Sequence, residues 1–212
     1  KAPNPSLPKG GGAVRGLGEK FAANLVSGTG SLTVPIATSP GRGGFGPELS
    51  VAYDSGSGNG PFGVGFRLSV PSISRKTERG LPSYHDQDDS DTFVLSGAED
   101  LVRCDEQPGA PSVIRYRPRV EGLFARIERV EETNGNVYWR AITKDNVTSV
   151  YGQTPQARIY NPQYPTLVFS WLLEKTEDAR GNIIEYEYKA ENLLGVPKAI
   201  YEKQRHNGEV PV

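Results

Sequence analysis

Two glycine runs in this sequence satisfy the spacing G-x-G-x-x-G: Gly41-Arg-Gly-Gly-Phe-Gly46 and Gly58-Asn-Gly-Pro-Phe-Gly63. That spacing serves dinucleotide binding when a strand precedes it and a helix N-terminus follows. The free N–H groups and the dipole of the helix then hold the pyrophosphate. Neither run meets the second condition. Pro47 and an alternating segment follow the first, and the second contains Pro61 and runs on into Gly65 and Phe66. The glycines therefore read as backbone devices, with Gly58, Gly60, Gly63 and Gly65 supplying positive φ or close approach between strands. No nucleotide cofactor is expected.

The remaining chemical candidates are sparse. Asp86, Asp88 and Ser90 alternate as in a calcium loop, but Asp91 stands where the EF-hand needs glycine and Gly97 where it needs an acid. A solvated acidic loop fits better, with Asp91 placed to bind local backbone N–H groups at the start of a strand. His85 and His206 are the only histidines and Cys104 the only cysteine. They lack the short spacings of a zinc site, and Cys104 with His85 makes a weak nucleophile pair, since Cys104 reads as a small strand residue. Glu185-Tyr-Glu187 matches the Glu-x-Glu of ADP-ribosyltransferases. Alternation puts both acids on a polar strand face, opposite Ile184, Tyr186 and Tyr188. Asn146-Val-Thr148 is a glycosylation sequon that also reads as a plain turn. The ten Tyr, seven Phe and two Trp could line a carbohydrate groove, but in alternating strands they belong to a core. No catalytic, cofactor-binding or metal-binding residue is assigned, and the chain is expected not to be an enzyme.

The elements that carry these residues are strands. Leu32, Val34 and Ile36 alternate with polar neighbours, and Pro35, which has no N–H to donate, predicts an edge strand or a bulge. Leu49, Val51 and Tyr53 alternate next. Strands are predicted at 64–70 and 73–77, broken by Pro71, then at 92–95 and 101–103. Alternation resumes at Leu123, Ala125 and Ile127, at Val137, Trp139 and Ala141, at 147–151, at Phe169, Trp171 and Leu173, and at Ile184, Tyr186 and Tyr188. Asn134-Gly-Asn136 and Asp178-Ala-Arg-Gly-Asn182 mark turns. A short helix is predicted over 16–25, with Phe21 and Leu25 on one face. The fold class is all-β: antiparallel hairpins and a meandering sheet with many Gly and Pro turns, part of a larger β-shell. The whole of 1–212 reads as one β domain. It has an irregular lead-in at 1–30, a glycine-rich strand-loop half at 31–103 and a hairpin half at 112–190.

Composition supports that reading. The chain has 212 residues, 36% hydrophobic, with 25 Gly and 17 Pro. Basic and acidic residues number 24 and 25, so a net charge of −1 gives no reason to expect nucleic acid or an anionic membrane. No apolar run approaches the ~18 residues of a spanning helix. No signal peptide is visible at the start, and a single cysteine excludes an internal disulfide. Synthesis in a reducing cytoplasm with later release is expected. The segment after Tyr188 lacks closing signals, so the chain reads as a fragment of something longer, prone to self-association when isolated.

Certain stretches point to a family. Leu7-Pro-Lys-Gly-Gly-Gly-Ala13, the loop Gly56-Ser-Gly-Asn-Gly-Pro-Phe-Gly-Val-Gly-Phe66, Arg75-Lys-Thr77, Asp91-Thr-Phe93 and Tyr116-Arg-Pro-Arg119 occur in order. Tyr151-Gly-Gln-Thr-Pro-Gln-Ala-Arg158, Trp171-Leu-Leu-Glu174 and Tyr186-Glu-Tyr-Lys-Ala-Glu-Asn192 follow. Together they resemble the N-terminal domain shared by the Salmonella plasmid virulence B protein and the B components of insecticidal toxin complexes. Asp178–Tyr188 also resembles a half-repeat of the tyrosine–aspartate (YD/Rhs) family. The resemblance implies a structural module of a secreted toxin, followed by a β-propeller and Rhs segments. The implied partners are a C-type component, with which it encloses a cytotoxic C-terminal effector, and an A-type pore component. An alternative from another class is a binding module for a partner component or host glycan. A third reading is the delivery domain of an ADP-ribosylating virulence protein. The catalytic residues of that protein map onto no residue here.

Overall fold

The computed structural model describes residues 20–24, 28–60, 62–96, 99–107, 112–119, 125–190, 194–195 and 200. Two compact units divide the chain: Lys1–Ser39 with Glu48–Ser69, and Pro40–Pro47 with Val70–Val212. Among the described residues helix is limited to short 3-10 stretches, so the protein is all-β as expected.

The first unit holds β1 (Lys20–Asn24), β2 (Thr29–Ile36), β3 (Leu49–Asp54), β4 (Asn59–Gly60), β5 (Gly63–Val64) and β6 (Phe66–Leu68). An antiparallel sheet runs in the order β1-β2-β3-β6, and β4 and β5 form a separate small hairpin. The predicted helix over 16–25 is overturned where it can be seen. Lys20–Asn24 is a strand, paired from Lys20↔Thr33 to Asn24↔Thr29. A segment this short cannot sustain a helix alone, and pairing to β2 outweighs its weak helical pattern. The rest of that prediction lies outside the described residues. Nor is β2 an edge strand, since it sits between β1 and β3. Pro35 is accommodated because the described ladder with β1 stops at Thr33, leaving the proline beyond it. Register places Leu32, Val34 and Ile36 opposite Tyr53, Val51 and Leu49, so these six side chains share one face.

The glycine loop between β3 and β6 works as predicted at three of its four glycines: Gly63 and Gly65 take positive φ and Gly60 a close approach, whereas Gly58 has neither. A Cβ on Gly65, whose φ is +81°, would stand 2.6 Å from the Tyr53 ring and 2.8 Å from the Asp54 carbonyl oxygen. At Gly60 it would meet the Phe66 carbonyl oxygen at 2.1 Å. Only a residue without a Cβ lets these backbones approach.

The second unit holds β7 (Ser72–Arg75), β8 (Phe93–Leu95), β9 (Glu99–Gln107), β10 (Ser112–Pro118), β11 (Ala125–Glu131), β12 (Val137–Thr143), β13 (Thr148–Tyr151), β14 (Arg158–Asn161), β15 (Tyr164–Glu177) and β16 (Ile183–Glu185). The meander expected of residues 112–190 is present from β10 to β13 and extends back through β9 and β8 to β7, but it does not stay open. The 14-residue β15 pairs with β7 through Ser170–Leu172 and with β13 through Leu173–Glu177. An eight-stranded antiparallel barrel, β7-β8-β9-β10-β11-β12-β13-β15, is thereby closed. Closure removes two sheet edges that would otherwise template association. β14 and β16 pair with β15 outside the ring.

Eight strands enclose just enough room for side chains, and here aromatic residues fill it. Trp139 and Trp171 are 0% and 1% exposed, with ring centroids 6.0 Å apart. Phe93 lies 4.9 Å from Trp139 and 5.8 Å from Trp171, in edge-on contacts. Tyr116 adds a ring 4.9 Å from Trp139. The buried Trp and Tyr rings of the barrel are thus core, as the alternation predicted, and not a groove. Trp171 donates its indole N–H to the Val137 carbonyl at 3.0 Å. Gly152, at φ +61°, leaves room for the Trp171 ring, which a Cβ there would meet at 2.5 Å.

Candidate functional site

Arg75 shares the inward face of β7 with Ile73, because strand side chains alternate. Its side chain is only 2% exposed. Every donor of that guanidinium that the structure pairs has a specific acceptor. Nε donates to the Val168 carbonyl at 2.8 Å, Nη1 to Asp86 at 2.5 Å and Asp91 at 2.8 Å, and Nη2 to Asp86 at 3.0 Å. Its carbon centre stands 4.7 Å from the Tyr84 ring centroid, 5.1 Å from Phe93 and 5.5 Å from Trp171. Arg129, on the inward face of β11, supplies a second buried cation and reaches Asp86 at 3.0 Å. The result is a quartet of two arginines and two aspartates with no net charge.

The aspartates arrive on the loop between β7 and β8. Asp91 accepts the backbone N–H of Ser83 and of Tyr84, each at 2.8 Å, the local role its position predicted. Tyr84 and Asp89 take positive φ of 60° and 48°, which non-glycine residues rarely adopt. A 3-10 turn at Asp86–Asp88 lies between them. Burial pushes the Asp86 carboxyl up, but the hydrogen bonds and charges of Arg75 and Arg129 outweigh it and hold it below the ordinary range. Asp91 is opposed by burial in the same way. The Ser83 and Tyr84 N–H groups and Arg75 bring it below its usual value. Both carboxylates are held ionised, as clamps rather than proton acceptors.

Beside the quartet opens a cleft of about 470 Å³, lined by His85, Asp86, Asp88, Arg103, Arg129 and Glu131 among others. Arg103 pairs with Asp89 at 2.7 Å. Arg129 Nη1 lies 3.5 Å from Glu131, and its Nε has no partner in the structure.

The predicted candidates are scattered. Asp86 is engaged by arginines, and Ser90 accepts the His85 N–H, so the calcium-like register serves the loop itself. No group of three or more His, Cys, Asp or Glu residues among those described could hold a metal. Cys104 is exposed on β9, and His206 lies outside the described residues. Glu185 and Glu187 are exposed while Tyr186 and Tyr188 are half-buried, as the alternation predicted. Tyr188 donates to the Leu173 carbonyl at 2.7 Å, and burial pushes its phenol pKa up. Asn146 occupies a turn at φ 57°. Neither glycine run precedes a helix: Arg42–Gly44 is a 3-10 turn leading to extended Phe45, and Gly63–Val64 is strand.

The buried arginines are not among the residues that motif and spacing single out. The available signal was Arg75 on the same strand face as Ile73, a cation aimed inward that demands partners. Arg158 is a second case. It is buried, hydrogen-bonded to the Gly152 and Gln153 carbonyls and to Asn136, and burial lowers its pKa.

Comparison with known proteins gives consistent matches. A family model described as SpvB, Salmonella virulence plasmid 65kDa B protein, matches residues 24–210. A mono(ADP-ribosyl)transferase SpvB of Salmonella choleraesuis (strain SC-B67) is 36% identical over 206 residues, covering 89% of this chain and 33% of that protein. The chain therefore spans about a third of the length of the curated relatives it matches. The crystal structure of TcdB2-TccC3 superposes with a TM-score of 0.79 at 34% identity, over 99% of this chain and 10% of that one. The N-terminal domain of effector protein SpvB from Salmonella typhimurium strain LT2 superposes with a TM-score of 0.71 at 34% identity. That match covers 83% of this chain and 59% of that one.

Proposed function

This chain belongs to the SpvB family, matching its N-terminal domain, and from that membership we propose that it is a non-catalytic structural module of a toxin-complex B-type component. In this reading it forms part of the shell that encloses and delivers a cytotoxic C-terminal effector. The observation that carries the reading is the match to TcdB2-TccC3 along 99% of the chain. The chemistry supports it. The barrel interior is packed with rings, and its ionisable groups are locked in pairs. A wall needs rigidity and usable surfaces, and it needs no convergent acid–base set. Residues 1–212 act as one module, with a C-type component and an A-type pore component as partners and a secreted destination.

The 36% identity to SpvB favours a second reading, the N-terminal delivery domain of an ADP-ribosylating virulence protein. One experiment separates them. The chain replaces the corresponding segment of a toxin-complex B component, which is then co-expressed with its C component. The shell reading expects a soluble B–C assembly by size exclusion and retained killing of target cells. A folded exchange protein that fails to assemble with the C component overturns it.

A further inference from the structure

The four-stranded sheet is amphipathic. Added to the six side chains shared by β2 and β3, register puts Phe21, Phe66 and Leu68 on the same face. The opposite face carries Lys20, Ser31, Thr33, Ser50, Asp54 and Arg67, together with the small or apolar Ala22, Pro35 and Ala52. A sheet with such a face normally buries it under a second layer. Here no described side chain of that face is buried. Phe21 is 75% exposed, Ile36 39% and Phe66 37%, and the others are half-buried.

The size of the face indicates what covers it. Strand spacing and rise give a face of roughly 350 Å² for the paired residues. Two copies meeting there would bury about 700 Å², well under the ~1,200 Å² of a stable interface. A layer on the same polypeptide needs no such area, because tethering removes most of the association cost. The chains it matches supply ample polypeptide: this chain covers 33% of the SpvB relative and 10% of the TcdB2-TccC3 chain.

We propose that the Leu32–Val51–Tyr53 face is a docking surface for an apolar β-layer of the polypeptide that carries this module. This rests on the shell reading, and it names the surface through which the module joins the shell.

The test uses the full-length protein. Val51 lies on the apolar face and its neighbour Ala52 on the polar one, and both are half-buried in this chain. Val51→Cys and Ala52→Cys variants are exposed to a maleimide, and labelling is read by peptide mass spectrometry. Docking predicts labelling at position 51 at least ten-fold slower than at 52, unchanged on dilution. Equal rates overturn the proposal. Protection that disappears on dilution also overturns it, and identifies a second copy as the occupant. Footprinting of the unsubstituted protein checks for misfolded variants. Tyr53 should react as slowly as buried Tyr151, whereas a rate like that of exposed Tyr164 rejects docking. If the face is protected but the exchange protein delivers nothing, only the shell function fails. Delivery with an open face sinks only the docking.

Discussion

The eight-stranded barrel and the four-stranded sheet use the same strand chemistry and treat it oppositely. Every buried hydrophobic among the described residues belongs to the barrel unit, from Ile73 to Leu173. The sheet has nine apolar side chains on one face and buries none of them. The difference is closure. A ring of strands manufactures its own inside, so alternation alone delivers a dry core. An open sheet has two outsides until another layer arrives. The barrel can therefore also bury charge. Arg75 and Arg129 are enclosed because Asp86 and Asp91 fold back to meet them.

The strongest way to break the contrast is to unpair that charge. Arg75→Met leaves Asp86 and Asp91 partly buried without their main cation. Truncating one side of a buried pair costs about 3–5 kcal/mol, and urea denaturation should show a loss of that size. A loss under about 1 kcal/mol would mean that the quartet is as weak as a surface pair, and that the barrel is not a closed interior.

Glycine substitutions come next. Gly152→Ala forces a Cβ into Trp171, a ring held on several sides, at a positive φ. It should cost about 2–4 kcal/mol by strain and overpacking together. Gly65→Ala meets Tyr53, which is half-buried and able to swing, although the Asp54 carbonyl stays in the way. About 1–3 kcal/mol is expected there. Melting temperatures should rank the two in that order.

Acid should act on the barrel. Asp86 and Asp91 have folded pKa values below their unfolded ones. Their contribution is present above the unfolded value, around 4, and fades as pH falls through the folded values. Unfolding free energy should therefore drop with falling pH in the acid limb below about pH 4. Asp86→Asn should flatten that limb while lowering stability at neutral pH. An unchanged limb would remove Asp86 as its source.

Much of this was legible in the residues, within a limit. Alternation located β2, β3, β12 and β15, and the proline and helix-free context of the glycine runs placed them in turns and strand. Asp91 was placed as a backbone acceptor because that interaction is local. What escaped was long-range. Nothing near Tyr151 says that it lies opposite Leu173, so barrel closure could not be read from period or turn spacing. The β1 segment carries a helical pattern because the partner that makes it a strand lies elsewhere in the chain. The Arg75 face was readable, but its acceptors sit 11 and 16 residues on, in a loop whose course depends on positive φ at Tyr84 and Asp89.

The smallest effect is the sharpest comparison. Val168→Ala and Val51→Ala remove the same two methyl groups, one from the barrel core and one from the apolar sheet face. Val168 is 4% exposed, so it loses transfer energy and leaves a cavity, about 2 kcal/mol. In the 212-residue chain Val51 has water beside it already. The deletion there should cost only about 0.5 kcal/mol, since little area leaves solvent on folding. In the full-length protein the docked layer should raise the Val51 cost toward the Val168 value. Equal costs at both positions in the short chain would show that the sheet already has a cover, and the contrast with the barrel would vanish. A Val51 cost that stays small in the long protein would leave the sheet open there too, and docking through this face would be rejected.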